Sequence, residues 1–353
     1  RIGYERVYEG QDVRGVLALG DNLLIADGTS LVEFNTNLMQ ARTLRTIAGA
    51  GHFCGDVLNR RLYFSTENEC LVYDGRQVFP WGVPDLSMQP HTYPVAGTLE
   101  EGHYQIAVTY IDSRGLEGGT ARPRVMHCQA GQGIAVVLDA IPPGCQANVY
   151  VSTVNGSTLY LQAVSSTPVT ITVSSVRSDT AECGTILKRG PRPASRIAAH
   201  NGVLLMAIGD AVEHTLPMQA HLVDRAKSFF QYPEAVGDLM SADGIAYVSA
   251  DKCYALSSLE ADAVSQRVAL DFPAIPGTAV RLTDGRAACM TRYGQAVSSP
   301  DGMNLMNLKN FAPSVADRGN AGVIESNGNQ LIVTTTQGKQ TGNALAAADF
   351  YIG

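Results

Sequence analysis

The chain has 353 residues, of which 45% are hydrophobic and 17% charged, and a formal net charge of −7. Lys and Arg occur singly or in pairs such as Arg60-Arg61 and Lys188-Arg189, so the sequence holds no basic stripe of the kind that grips nucleic acid by counterion release. The longest apolar stretch, Gly133–Ala140, is far too short to cross a bilayer, and no membrane span is expected.

The sequence opens mid-pattern on Arg1 rather than Met, so a segment ahead of it is expected to be missing or removed. Six apolar triplets then recur along the chain, each ahead of a short polar turn and, in most, a second apolar run. They are Leu23-Leu24-Ile25, Leu62-Tyr63-Phe64, Leu204-Leu205-Met206, Ala246-Tyr247-Val248, Ala287-Ala288-Cys289 and Leu331-Ile332-Val333. A turn signal precedes each: Gly20-Asp21-Asn22, Asn59-Arg60-Arg61, Asn201-Gly202, Asp243-Gly244, Asp284-Gly285 and Asn327-Gly328. Asn-Gly and Asp-Gly supply the positive φ angles that two-residue hairpins require, so each unit reads as strand, tight turn, strand, tight turn, strand.

The triplet centres are 39 residues apart at the start and 42, 41 and 44 apart at the end. Those spacings match the period of a β-propeller blade, and about six blades are expected, within a range of five to seven. The gap from Tyr63 to Leu205 is 142 residues. Allowing one ordinary repeat leaves an excess of roughly 95 residues, the size of a β-sandwich. That excess has its own texture. His103–Ile111 alternates cleanly, Ile134–Leu138 and Asn148–Ser152 are further strands, Asn155-Gly156 closes a hairpin to Leu159–Leu161, and Val169–Val173 ends the series. The expected organisation is all-β: propeller blades at 1–92, an inserted fibronectin-III or immunoglobulin-like sandwich at 93–187, and the remaining blades at 188–353, with Pro80–Pro94 and Arg189–Pro193 as linkers. Ala344–Tyr351 is a candidate closing strand, and the segment near Val7-Tyr8 is expected to pair with the final blade.

No catalytic, cofactor-binding or metal constellation emerges. The seven cysteines, Cys54, Cys70, Cys128, Cys145, Cys183, Cys253 and Cys289, form no CxxC pair and read as reduced, buried small side chains. The seven histidines, His52, His91, His103, His127, His200, His214 and His221, show no metal spacing and read as strand-end or surface residues. Ser298–Asn304 is similar to the structural Asp-box turn of sialidase-type propellers. Such an enzyme also needs clustered arginines and a Tyr/Glu pair. Arg281, Arg292, Tyr293 and Arg318 are the candidates, and solvated surface roles are expected for them. Phe229–Pro233 is an aromatic cluster that suits packing between blades better than sugar stacking. Glu100-Glu101 and Glu260–Asp262 read as solvated loops.

Three stretches resemble the tail nozzle or tail hub propeller proteins of short-tailed bacteriophages. They are the opening Gly3–Val7, the insert phrase Gly102–Gly119 with Asn148–Ser152, and Ser298–Leu305. The resemblance implies a virion structural protein of the tail, assembled in the host cytoplasm as a homo-oligomeric ring around the DNA exit path. It implies other virion tail proteins as partners, on the adaptor or portal side and among the tail fibres. It also implies transient passage of DNA without sequence-specific binding, no cofactor and no catalysis. Two other classes compete: a host-surface or glycan-binding adhesin or decoration protein, and a propeller glycosidase with paired carboxylates in its central pocket.

Overall fold

The computed structural model describes residues 6–48, 51–259, 264–300, 302–306, 316–326 and 328–338. The candidate closing strand Ala344–Tyr351, most of Gly3–Val7, the acidic loop Glu260–Asp262 and Asp301 therefore lie outside the described residues. Among the described residues the chain is all-β, with no helix and with every sheet antiparallel. It divides into two compact units: Arg1–Phe79 with Pro193–His214 and Phe229–Gly353, and Pro80–Arg192 with Thr215–Ser228.

The first unit is a series of meander sheets. The first sheet is β1 (Val13–Leu19), β2 (Asn22–Asp27), β3 (Ser30–Asn35) and β4 (Gln40–Thr46), in that order. The second is β5 (Cys54–Leu58), β6 (Arg61–Ser65), β7 (Cys70–Tyr73) and β8 (Val78–Pro80). The second unit follows in the chain with β9 (Thr92–Leu99), β10 (Gly102–Ile111), β11 (Arg124–Cys128), β12 (Gln132–Leu138), β13 (Gln146–Ser152), β14 (Leu159–Ser165) and β15 (Val169–Val173). The first unit then resumes with β16 (Arg196–His200), β17 (Val203–Ile208) and β18 (Ala211–Leu216). The far end of β18 pairs with β19 (Gln219–Val223), and its near end pairs with β20 (Phe229–Gln231), which completes the third sheet. The fourth sheet is β21 (Asp238–Ala242), β22 (Ile245–Ser249), β23 (Cys253–Ser257) and β24 (Ser265–Leu270). The fifth is β25 (Val280–Arg281), β26 (Ala287–Thr291), β27 (Gly294–Ser299) and β28 (Gly302–Leu305). The last comprises β29 (Arg318–Ser326) and β30 (Asn329–Gln337).

Each apolar triplet falls on the second strand of its sheet: β2, β6, β17, β22, β26 and β30. The turn chemistry explains the repetition. Asn201-Gly202 and Asp243-Gly244 place both central residues at positive φ (43° and 83°, 52° and 75°), the twist that suits a two-residue hairpin. The second strands of the first five sheets, β2, β6, β17, β22 and β26, are largely buried on both faces and so read as apolar runs, whereas β30 alternates and leaves Leu331 and Val333 about half exposed. Leu24, Phe64, Leu71 and Tyr73 share one core between the first two sheets. Leu205, Val212, Ala246, Val248 and Leu256 join the third and fourth. Tyr247, Cys253, Cys289 and Met303 join the fourth and fifth. Full burial of each large apolar side chain contributes about 1.5–3 kcal/mol.

Polar latches repeat along with the core. Ser65 ends β6 and its Oγ accepts the Ala194 N–H at 3.0 Å; Ser249 ends β22 and accepts the Ala274 N–H at 2.9 Å. Both alanines follow a proline at the entrance to the next sheet, so one seryl hydroxyl fixes the same crossing twice.

Tyr8 does not join the last sheet. Residues 6–10 form no strand; the Tyr8 hydroxyl donates to Asp27 at 2.9 Å and its ring packs edge-on against Phe34, both in the first sheet. The nearest polar anchor, Asp27, also accepts the Gln11 and Asp12 N–H groups, and together these hold the segment there.

The second unit has two sheets, ordered β11-β10-β13-β14 and β15-β12-β9. They share one core of Tyr104, Ile106, Val108, Cys128, Ile134, Val136, Val149, Val151 and Val173. The unit begins at Pro80 and ends at Arg192, wider than 93–187 at both ends, and it takes in the Thr215–Ser228 excursion. Side chains and backbone explain the wider bounds. The buried Trp81 donates its indole N–H to the Ala220 carbonyl at 2.7 Å, and Lys188 pairs with Asp224 at 2.5 Å. Arg189 and Val223 exchange both backbone hydrogen bonds.

Candidate functional site

The first strands of the six sheets of the first unit, β1, β5, β16, β21, β25 and β29, carry four arginines, Arg14, Arg196, Arg281 and Arg318, and the acidic residues Asp56, Asp238 and Glu325. A cleft of about 210 Å³ opens among four of them, with Asp56, Ser241 and Arg281 as its polar lining and Ile197, Leu239 and Met240 among its apolar lining. The two oxygens of Asp56 accept the Ala199 and Val57 N–H groups, each at 2.7 Å. Burial pushes the Asp56 carboxyl above the usual carboxylate range, against those N–H groups and the field of Arg281. Ser241 Oγ lies 3.0 Å from Nδ1 of the buried His200. The two residues stand 41 positions apart, one repeat. A seryl hydroxyl on an imidazole is the start of a nucleophilic pair, but Asp56, the carboxylate lining the cleft, is engaged by backbone and not by the imidazole.

A second cleft, about 460 Å³, is lined by Arg196, Arg318, Asn320, Thr335, Thr336 and Gln337. Arg196 donates to Asp238 at 3.0 Å and to the Ser195 carbonyl at 2.7 Å, and Arg318 donates to Gln337 at 2.9 Å. Their guanidinium groups thus brace the sheets as well as facing the cleft.

The four residues weighed for sialidase-type chemistry do not converge. Arg281 lines the first cleft and Arg318 the second. Arg292 and Tyr293 occupy the β26–β27 turn, one strand length away from Ala287, the partner of Arg281. There the Tyr293 ring packs on Phe272 at 4.7 Å and under the Arg292 guanidinium at 5.0 Å. The Asp-box-like phrase is the β27–β28 hairpin, with Ser299 opposite Gly302 and Asn304 donating to Ser299 at 3.1 Å. Phe229-Phe230-Gln231 is the outer strand β20, with Phe230 stacked on His214 and packed against the core between the third and fourth sheets. Glu100 and Glu101 are exposed.

A Tyr/Glu pair does occur, in the second unit. Glu117 Oε1 accepts from the Thr109 hydroxyl and from the Tyr150 hydroxyl at 2.7 Å. The Glu117 carbonyl lies 3.0 Å from His221 Nε2. Burial, reinforced by the Glu117 carboxylate, pushes the Tyr150 phenol above its ordinary value. Tyr150 is almost wholly buried, so the pair works as a brace. Sequence reading missed it because Glu117 sits in a loop, 33 positions from Tyr150.

All seven cysteines are free thiols. Burial pushes Cys54 and Cys253 up to about 12, which keeps them in the unreactive protonated form. Among the described residues no group of three or more His, Cys, Asp and Glu side chains could hold a metal ion, and no helix is long and apolar enough to cross a membrane.

No family model and no curated protein matches the sequence. Solved structures with similar backbones include a chain of the BBS1N complex with ARL6DN (13% identity, 95% of this chain and 94% of that one, TM-score 0.34). Apo AztD from Citrobacter koseri (12%, 83% and 84%, TM-score 0.30) and a chain of the mitotic checkpoint complex (9%, 86% and 94%, TM-score 0.24) are others. None of these three is a phage tail protein.

Proposed function

We propose that this chain is a structural subunit of a bacteriophage tail, a nozzle or hub protein that forms a homo-oligomeric ring around the DNA exit path. In this reading the first unit is a six-bladed β-propeller and the second an inserted fibronectin-III or immunoglobulin-like sandwich. The observation that carries the reading is the joining of a repeated-meander unit to a second unit with its own core, in a chain whose phrases resemble those of tail nozzle proteins. Sheets covered on both faces resist deformation, which suits a part that holds internal pressure. The DNA path is the lumen of the ring, formed between subunits, and not the arginine-bearing centre of the first unit. Subunit contacts in a permanent ring bury well above about 1,000 Å² each.

Locating the chain in an intact particle by electron cryomicroscopy tests this. The expected result is a ring on the tail axis below the portal. Isolated copies on the capsid exterior, or density at distal fibre tips, would overturn it and leave decoration or adhesion. The same reading holds that the chain is not an enzyme. Incubation with sialosides and other glycans is expected to give no product, and turnover abolished by Tyr293→Phe or Asp56→Asn would promote the glycosidase class instead.

A further inference from the structure

His103 and His127 face each other directly across the antiparallel β10–β11 pair, with ring centroids 5.0 Å apart and planes at 70°. Sequence spacing hid this pair, since the two lie 24 positions apart on different strands. The register that joins them is fixed by the core. Tyr104, Ile106 and Cys128 point inward and are almost fully buried. The alternating positions therefore put His103, Gln105, Val125 and His127 on the other face, where both histidines are exposed. A one-residue slip of the outer strand β11 would turn His127 into the core and Cys128 out of it, so the pairing is strongly specified. The backbone is held as well: the Asn155 side chain accepts the His103 N–H at 3.0 Å.

We infer that this cross-strand pair is a binding site for a late first-row divalent transition metal, taken up by chelation between the two imidazoles. Copper(II), nickel(II) and zinc(II) favour imidazole nitrogen, with copper(II) the tightest in the series. Two imidazoles bound side by side at about 2.0–2.1 Å from one ion hold their nitrogens about 3 Å apart. Opposed side chains on an antiparallel pair start close enough to reach that spacing by side-chain rotation alone. The fold supplies the preorganisation, so the second metal–nitrogen bond forms intramolecularly. Water fills the other positions, which makes the site open and exchangeable rather than a closed structural one. The ion would tie β11, an outer strand of its sheet, to β10, and it binds only where the fold has brought the two strands together.

The test is titration of the full chain with copper(II), followed by electron paramagnetic resonance, with zinc(II) as a second probe in thermal melts. The expected result is one tight equivalent with two equatorial nitrogens. His103→Gln and His127→Gln should each weaken it about 100-fold, as a chelate becomes a single imidazole. His91→Gln, an exposed histidine elsewhere on the same unit, should leave it unchanged. Zinc should raise the melting midpoint seen by Trp81 fluorescence in the parent chain and not in either variant. Unchanged affinity in both variants, or a one-nitrogen signal at one equivalent, overturns the proposal. Should a glutamine variant fail to fold, His103→Asn and His127→Asn answer the same question.

Discussion

Asp238→Ala is expected to destabilise the repeated-sheet unit by about 3–5 kcal/mol while leaving the second unit's transition where it was. Asp238 opens β21 and is only 2% exposed. One carboxylate oxygen accepts Arg196 Nε from β16 at 3.0 Å. The other accepts the Gly277 N–H at 2.8 Å and the Thr278 N–H at 3.1 Å, ahead of β25. One side chain thus ties the third, fourth and fifth sheets. The tie extends to the sixth, because Pro276 accepts the Gly319 N–H at 2.8 Å and a Cβ on Gly277 would lie 2.2 Å from the Gly319 carbonyl oxygen. Alanine leaves the Gly277 N–H without an acceptor, leaves the buried Thr278 N–H with only the Ile275 carbonyl at 3.2 Å, and leaves a partly exposed guanidinium without its counter-charge. Water takes up part of the last loss, so the N–H groups dominate. Asp238→Asn keeps the volume and one acceptor oxygen, and about half the loss is expected. The single tryptophan, Trp81, lies in the other unit, so its fluorescence serves as the internal control, while the part of the far-UV circular dichroism change in urea that does not follow Trp81 reports the repeated sheets. A shift below about 1 kcal/mol for the alanine variant would show that the latch is not structural.

The all-β class and the repeat were legible because the second strands of the first five sheets, β2, β6, β17, β22 and β26, are largely buried on both faces and adjoin turns that demand particular residues. Leu204-Leu205-Met206 after Asn201-Gly202, and Ala246-Tyr247-Val248 after Asp243-Gly244, carry that signature without help from tertiary context. The outer strands were not legible. β4, Gln40–Thr46, reads QARTLRT and has no apolar run, and β24, Ser265–Leu270, reads SQRVAL, with its one apolar triplet at the very end and Val268 exposed; both strands are largely exposed. The Thr215–Ser228 excursion was also hidden. Its link to the second unit rests on Ala220 and Asp224, whose partners Trp81 and Lys188 lie 139 and 36 positions away. The same reason hides the candidate sites. Ser241 meets His200, and His103 meets His127, only through strand pairing and sheet packing, while motif reading sees neighbours in the chain. Arg281, Arg292, Tyr293 and Arg318 show the converse, a set of suggestive residue types that the strands carry to separate places.

Gly119→Ala is expected to cost the second unit about 4 kcal/mol or more, the largest single effect anticipated in the chain. A Cβ at this position would lie 1.9 Å from the Lys188 carbonyl oxygen and 2.4 Å from its carbon. Those are backbone atoms and cannot rotate aside, so one strand segment must move off the other. The neighbouring contacts oppose that movement. Thr120 is fully buried, its Oγ1 donates to the Val108 carbonyl at 2.6 Å and accepts from Gln89 at 2.7 Å, and its own carbonyl accepts the Leu187 N–H at 3.0 Å. Separating residue 119 from residue 188 therefore breaks the Gln89–Thr120–Val108 chain and strains the Glu117 brace two residues earlier. The effect is read from Trp81, which is 1% exposed, in a urea titration of the full chain. Its midpoint should fall sharply while the circular dichroism transition of the repeated sheets stays in place. Gly115→Ala is the contrasting case: an added Cβ meets nothing within 4 Å, although φ is +77°, so only the milder conformational penalty of about 1 kcal/mol is expected. Equal losses at the two positions would mean that the close approach of Gly119 to Lys188 relaxes freely, and the second unit would then be looser at this junction than its hydrogen bonds require.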